Sequence, residues 1–202
     1  MIISDLKDEF EDMKHDITDV DNALFIRWAD YLNKFFYRYL TKTDPEQLIS
    51  TQDYTVATSP SSSAEPTDYG HISSDGTGFY TLDSGVMTGE VLTRTGPGRD
   101  DRGYYFSPGD EVTFTGITDE TFRLRYIPTP VKLTATSDEL IIPDRYSQYM
   151  IDGLDVIYNQ WDEDAGMESL ADIRMVRGLN MVLLDIPKDQ RVYEIYDNSN
   201  AY

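Results

Sequence analysis

The side chains that could do chemistry in this chain are few in kind and poorly spaced for it. His15 and His71 are the only histidines and lie in different stretches, with no second histidine at metal-ligand spacing, so both read as surface residues rather than zinc ligands. Cysteine is absent, which excludes disulfides and thiolate metal sites. "DSGVMTG" at 83–89 lacks the second glycine position of a nucleophile elbow. The glycines of "GTGFY" (76–80) and "GPGRDDRG" (96–103) have neither the lysine nor the strand-turn-helix setting of a phosphate-binding loop. "WDEDAGME" at 161–168 places Asp162, Asp164 and Glu168 in part of a calcium-loop spacing. It lacks the glycine and the distal bidentate glutamate, so it reads as a solvated turn between two helices. Tyr104, Tyr105 and Phe106 could stack on sugar rings, but an aromatic triplet beside a turn reads first as a strand with one buried face. Neither an enzyme nor a cofactor is expected.

The elements that would position these residues fall into two kinds. Leu6, Phe10 and Met13 recur at helical spacing over 4–15, with Ser4 as a candidate cap. A stronger helix follows Asp21 and stops before Pro45, striped by Leu24, Phe25, Trp28, Tyr31, Leu32, Phe35, Phe36, Tyr39 and Leu40. From residue 42 to 143 the helical period gives way to glycine, proline, serine and threonine, as expected of short strands and turns. Within this stretch "EVTFTGITDETFRLRY" predicts a hairpin, with Val112 and Phe114 on one arm and Phe122, Leu124 and Tyr126 on the other. "GFYTLDSGVMTGEVLTRT" predicts further strands, whereas "TSPSSSAEPTDYG" (58–70) and "RTGPGRDDRG" (94–103) read as exposed mobile loops. Helical spacing returns after Pro143 with Tyr146, Met150, Leu154, Ile157 and Trp161. It continues in a fourth helix over 167–184, striped by Leu170, Ile173, Val176 or Arg177, and Val182 or Leu183.

The expected fold is therefore α+β. A discontinuous four-helix bundle (1–41 and 144–187) carries a β-rich insertion (42–143) between helices two and three, and an extended tail (188–202) follows. Leu24, Trp28, Leu32, Phe35, Tyr146, Met150, Leu154, Ile157 and Trp161 are the expected bundle core. Tyr126, Pro128, Pro130 and Pro143 mark the return path, where proline fixes its own torsion and disfavours helix in the residue before it, giving a stiff hinge.

The net charge of −20 argues against a groove that grips double-stranded nucleic acid, which needs clustered cations to displace counterions. It is compatible with an acidic wall past which DNA moves. "MIISDLKDEF" has no basic region or apolar run and does not read as a signal peptide. The apolar stretches fall short of the ~20 residues a membrane-spanning helix needs, so a soluble protein with no membrane partner is expected.

"RYIPTPVKL" followed by "IIPDRYSQYMIDGLDVIY" resembles the head-to-tail connector, or adaptor, proteins of tailed bacteriophages. The resemblance rests on Tyr126, Pro130, Leu133, Pro143, Tyr146, Tyr149 with Met150, and Gly153 with Leu154. It covers both helical segments and leaves most of 50–110 unmatched. It implies a non-enzymatic ring, usually of twelve copies, in the virion neck, assembled in the host cytoplasm. Such a ring docks on the portal protein, meets the next neck or tail component and lets double-stranded DNA pass without specific binding. The resemblance assigns docking to an extended C-terminal segment, here "RVYEIYDNSNAY" with Val192, Tyr193, Ile195, Tyr196 and Tyr202. The competing readings are a carbohydrate- or receptor-binding virion module using the insertion's loops, and an acid-dependent hydrolase.

Overall fold

The computed structural model describes residues 1–13, 20–72, 77–163 and 173–186. Among the described residues four α-helices and eight strands follow one another: α1 (Ile3–Met13), α2 (Asn22–Thr43), β1 (Ser50–Val56), β2 (Ser61–Ala64), β3 (Tyr69–His71), β4 (Gly78–Asp83), β5 (Val86–Val91), β6 (Gly103–Ser107), β7 (Glu111–Thr115), β8 (Glu120–Pro128), α3 (Ser147–Glu163) and α4 (Ile173–Asp185). The fold is α+β, and its strands form two antiparallel sheets. The chain divides into two compact units, one of Met1–Leu48 with the described residues from Pro130 onward, the other of Ile49–Thr129.

In the helical unit the 3.6-residue period sets which side chains are covered. Ile3, Leu6 and Phe10 are the buried face of α1, and Phe25, Trp28, Ala29, Leu32, Phe36 and Leu40 that of α2. Asp21 caps α2 by accepting from the Leu24 amide at 2.7 Å. Ser4 lies inside the first turn of α1 instead of capping it, because Ile2 makes an isolated bridge to Glu139 and the helix starts directly after it. Phe10 meets Phe25 of α2 at 6.4 Å and Tyr158 of α3 at 6.2 Å, and Trp28 meets Trp161 edge-on at 5.7 Å. Two glycines permit close helix packing: a Cβ on Gly153 would lie 3.0 Å from Leu32, and one on Gly178 2.6 Å from the Val156 Cγ1. The covered face of α4 carries Met175 and Leu179, one turn apart, while Val176, Val182 and Leu183 are half-buried and Arg177 is exposed. The buried Met175 and Leu179 are thus not among the residues expected to stripe this helix, and the burial of Ile173 lies outside what is described. The predicted Leu170 lies outside the described residues.

In the second unit the five-stranded sheet has the order β1-β8-β4-β5, with β3 also paired to β8, and the three-stranded sheet has the order β2-β7-β6. Their inner faces meet in one core: Tyr54, Phe79, Phe122, Leu124 and Tyr126 from the larger sheet, Tyr104, Val112 and Phe114 from the smaller. Phe79 is its centre, 4.4 Å from Tyr104 and 5.3 Å from Phe114.

The hairpin predicted over 111–126 is not formed. β7 pairs with β2 and β6, and β8 with β1, β3 and β4, so the two arms belong to different sheets. The link 116–119 turns the corner through Gly116 (φ 62°) and Asp119 (φ 53°) with Ile117 buried, and Phe114 and Phe122 face each other as stacked rings at 5.7 Å. The stretch 58–70, expected as a mobile loop, supplies β2 and β3. Ser62 exchanges a hydroxyl hydrogen bond with Thr113 at 2.9 Å, and Tyr69 packs on Phe106 at 5.0 Å.

Candidate interaction surfaces

The return path from the β unit is irregular, with a turn at 135–137, and its polar groups are pinned at short intervals. Tyr126 and Pro128 belong to β8. The Tyr126 hydroxyl donates to Asp68 at 2.7 Å, and burial, first, then this carboxylate push its pKa upward. The Thr129 amide donates to the Asp68 carbonyl at 2.7 Å. Pro130 is the first residue assigned back to the helical unit. From there the Leu133 amide donates to Asp30 at 3.0 Å and the Ile141 amide to Asn33 at 3.1 Å, both acceptors projecting from α2. Asp138 accepts from the Thr134 and Ala135 amides at 2.6 and 2.9 Å, which holds its carboxyl below the usual carboxylate range. Residues 130–143, which the sequence assigns to the insertion, therefore pack with the helical unit. Pro143 precedes a short 3-10 turn (Asp144–Tyr146) that leads into α3.

Asn33 was not singled out in the sequence, although an amide on the apolar stripe of α2 is a legible signal. It is buried, and its oxygen serves a backbone donor that would otherwise be orphaned. Of the expected core residues, Trp28, Leu32, Tyr146, Met150, Leu154 and Ile157 are buried, while Leu24, Phe35 and Trp161 are half-buried. The tail residues Val192, Tyr193, Ile195, Tyr196 and Tyr202 lie outside the described residues, as do His15, Asp164 and Glu168.

Tyr104 of the aromatic strand belongs to the core, while Tyr105 and Phe106 are half-buried. Tyr104 is only 5% exposed, and Phe106 packs edge-on against it at 5.7 Å. Burial, with Glu65 adding to it, pushes Tyr54 and Tyr69 up to about 12. Large apolar side chains remain exposed on β5 (Val86, Met87, Val91), on α4 (Met181, Leu184) and at Val131.

The stretch 94–103, expected as an exposed mobile loop, contributes to a cleft anchored by hydrogen bonds. Residues 93–102 frame an open cleft of ≈ 460 Å³ lined by Thr93, Arg94, Thr95, Gly96, Arg99, Asp101 and Arg102. The Thr95 amide donates to the Tyr104 carbonyl at 2.7 Å and the Tyr104 amide to the Thr93 carbonyl at 3.1 Å. Thr115 donates its hydroxyl to the Asp101 carbonyl at 2.8 Å. Arg102 donates to Glu90 at 2.5 Å and Glu120 at 2.6 Å. Gly116 makes room: a Cβ there would meet the Arg102 nitrogen and the Asp100 oxygen at 2.6 Å. Three arginines within nine residues of so acidic a chain were the available sequence signal.

Among the described residues no group of three or more His, Asp or Glu is placed to hold a metal ion, and no helix is long and apolar enough to cross a membrane. The chain matches the SU10 adaptor protein family over residues 1–186 and belongs to that family. It is a structural phage protein of the head-to-tail adaptor kind, a component of the virion, in a family that is not one of enzymes. No curated protein matches it.

Proposed function

We propose that this adaptor forms a ring of twelve copies that docks on the portal protein, joins the capsid to the next neck or tail component and lines the channel through which the genome leaves. The observation that carries the reading is the family match over residues 1–186, which takes in both halves of the helical unit and the β unit between them. In this reading the four helices close one bundle in the ring wall, the unit Ile49–Thr129 is its insertion, and Tyr126, Pro128, Pro130 and Pro143 fix the angle between the two. The charge of −20 supports a channel wall, since phosphates are repelled where no cation array retains them. Assembly takes place in the host cytoplasm, and the tail from Val192 to Tyr202 reaches the portal or a neighbouring copy.

The test is deletion of residues 190–202. The truncated protein should keep its circular dichroism and melting behaviour but fail to co-sediment with portal rings or enter particles. Normal incorporation of the truncated protein would refute the assignment of docking to the tail. Particle images without a ring at the portal, or with the protein elsewhere, would refute the reading as a whole.

A further inference from the structure

Five arginines and no lysine make up the basic side chains of residues 49–129, and three of them, Arg94, Arg99 and Arg102, line the one cleft framed by 93–102. The remaining two are engaged elsewhere: Arg123 is bidentate to Asp53 at 2.7 and 2.8 Å, and Arg125 lies over the Tyr80 ring at 5.8 Å. Within the cleft Arg102 is held by Glu90 and Glu120. Arg94 and Arg99 have no carboxylate partner among the described residues, in a protein with more than twice as many acids as bases. Arg94 is oriented by the Phe106 face, 5.7 Å from its guanidinium carbon. The loop bearing these two cations is tied down by the hydrogen bonds of Thr95, Tyr104 and Thr115 and by the close approach at Gly116. The backbone on either side of Arg94 and the segment that follows Arg99 are thereby anchored, which reduces the backbone ordering cost when the two side chains are engaged.

We propose that this cleft is a carboxylate-binding site that takes an acidic segment of a partner protein, two carboxylates meeting Arg94 and Arg99 while Arg102 stays with its own acids. This site is additional to portal docking by the tail and does not depend on it. Guanidinium is suited to the role because its planar fork matches a carboxylate bidentately. Duplex DNA is the poorer fit. It carries a charge about every 1.7 Å along its axis, and only two uncommitted cations are available. Asp101 also lines the cleft, so the site suits a segment offering two carboxylates to Arg94 and Arg99 and not a long run of phosphates.

The experiment uses the full chain and a fluorescein-labelled glycine-serine peptide carrying two adjacent glutamates, read by anisotropy, against the Arg94→Gln/Arg99→Gln double variant and Arg38→Gln, whose arginine is exposed on α2. Against the repulsion of the chain's net charge, the peptide should bind the wild type and Arg38→Gln equally, and the double variant about 10-fold more weakly or not at all. Should the double variant fold poorly, Arg99→Gln alone, at an exposed side chain, should still weaken binding. Equal binding to wild type and folded arginine variants overturns the proposal, as does no binding to the wild type. Tighter, arginine-dependent binding of a short DNA duplex in a parallel titration overturns it in favour of phosphate.

Discussion

Replacing Gly178 by alanine in the middle of α4 should destabilise the helical unit, although the same change in an open helix would stabilise it. Alanine is favoured over glycine in a helix interior by about 0.8–1.0 kcal/mol. Here the added methyl would sit 2.6 Å from the Val156 Cγ1 and 3.4 Å from its Cγ2. Valine on a helix has one strongly preferred rotamer and cannot swing aside. Overpacking of this kind costs roughly 1–3 kcal/mol, so the net effect is a loss of about 1 kcal/mol. Val156→Ala removes both offending methyls. In that background Gly178→Ala should therefore gain up to about 1 kcal/mol, a reversal of sign and a coupling of about 2 kcal/mol. Both tryptophans, Trp28 and Trp161, lie in the helical unit 5.7 Å apart, so their fluorescence during urea unfolding reports that unit specifically. With a urea slope of about 1–3 kcal/mol per molar, the midpoint should fall by about half a molar in the single variant. If Gly178→Ala stabilises the wild type, or has the same effect in both backgrounds, the packing account is wrong.

Two further outcomes follow from ionisation. Asp138 is held below its ordinary value of 3.8 chiefly by the Thr134 amide and then that of Ala135. A carboxyl with a depressed folded pKa lends stability above its unfolded value that disappears as pH falls through the folded one, so acidification below 3.8 should weaken the helical unit. Asp138→Ala should show a shallower acid limb in tryptophan-monitored melts, and an unchanged limb would refute the role of those amide bonds. Tyr54 and Tyr69, raised to about 12 from 10.0, have the opposite sign: their contribution is complete below 10.0 and is lost as pH climbs to about 12. Tyrosinate absorbance should lag for these two until the β unit's circular dichroism collapses. A single titration step near 10.0 with the fold intact would contradict it.

The helices were legible because their signal is local. The 3/4 spacing of Trp28 and Leu32, or of Met150, Leu154 and Ile157, marks a face whatever covers it. Strand pairing is not local. The alternation of Val112 and Phe114 beside that of Phe122 and Leu124 identifies two strands but not their partners, and adjacency suggested a hairpin where the chain changes sheets. Ser61–Ala64 was invisible as a strand because its residues have low strand propensity. Pairing with β7 and the Ser62 to Thr113 hydroxyl contact supply what propensity does not. The arginine cleft went unread for a related reason: a glycine-rich stretch looks loose until the hydrogen bonds of Thr95 and Thr115 that tie it down are visible.

The register of β1 on β8 bears on how the molecule reaches its native state. Ser50 lies opposite Tyr126, so the β unit holds its own entry and exit side by side. The two halves of the helical unit are separated by about eighty residues of sequence, and closing so long a loop from an unfolded chain costs more than closing a short one. Once β1 and β8 are zipped, that separation shrinks to the span of a few residues, which lowers the closure cost by about 2–3 kcal/mol on the logarithmic scaling of loop entropy. The unit Ile49–Thr129, folding first, would then act as a clasp for the flanking chain, and α3 would find α2 almost as if the two were consecutive.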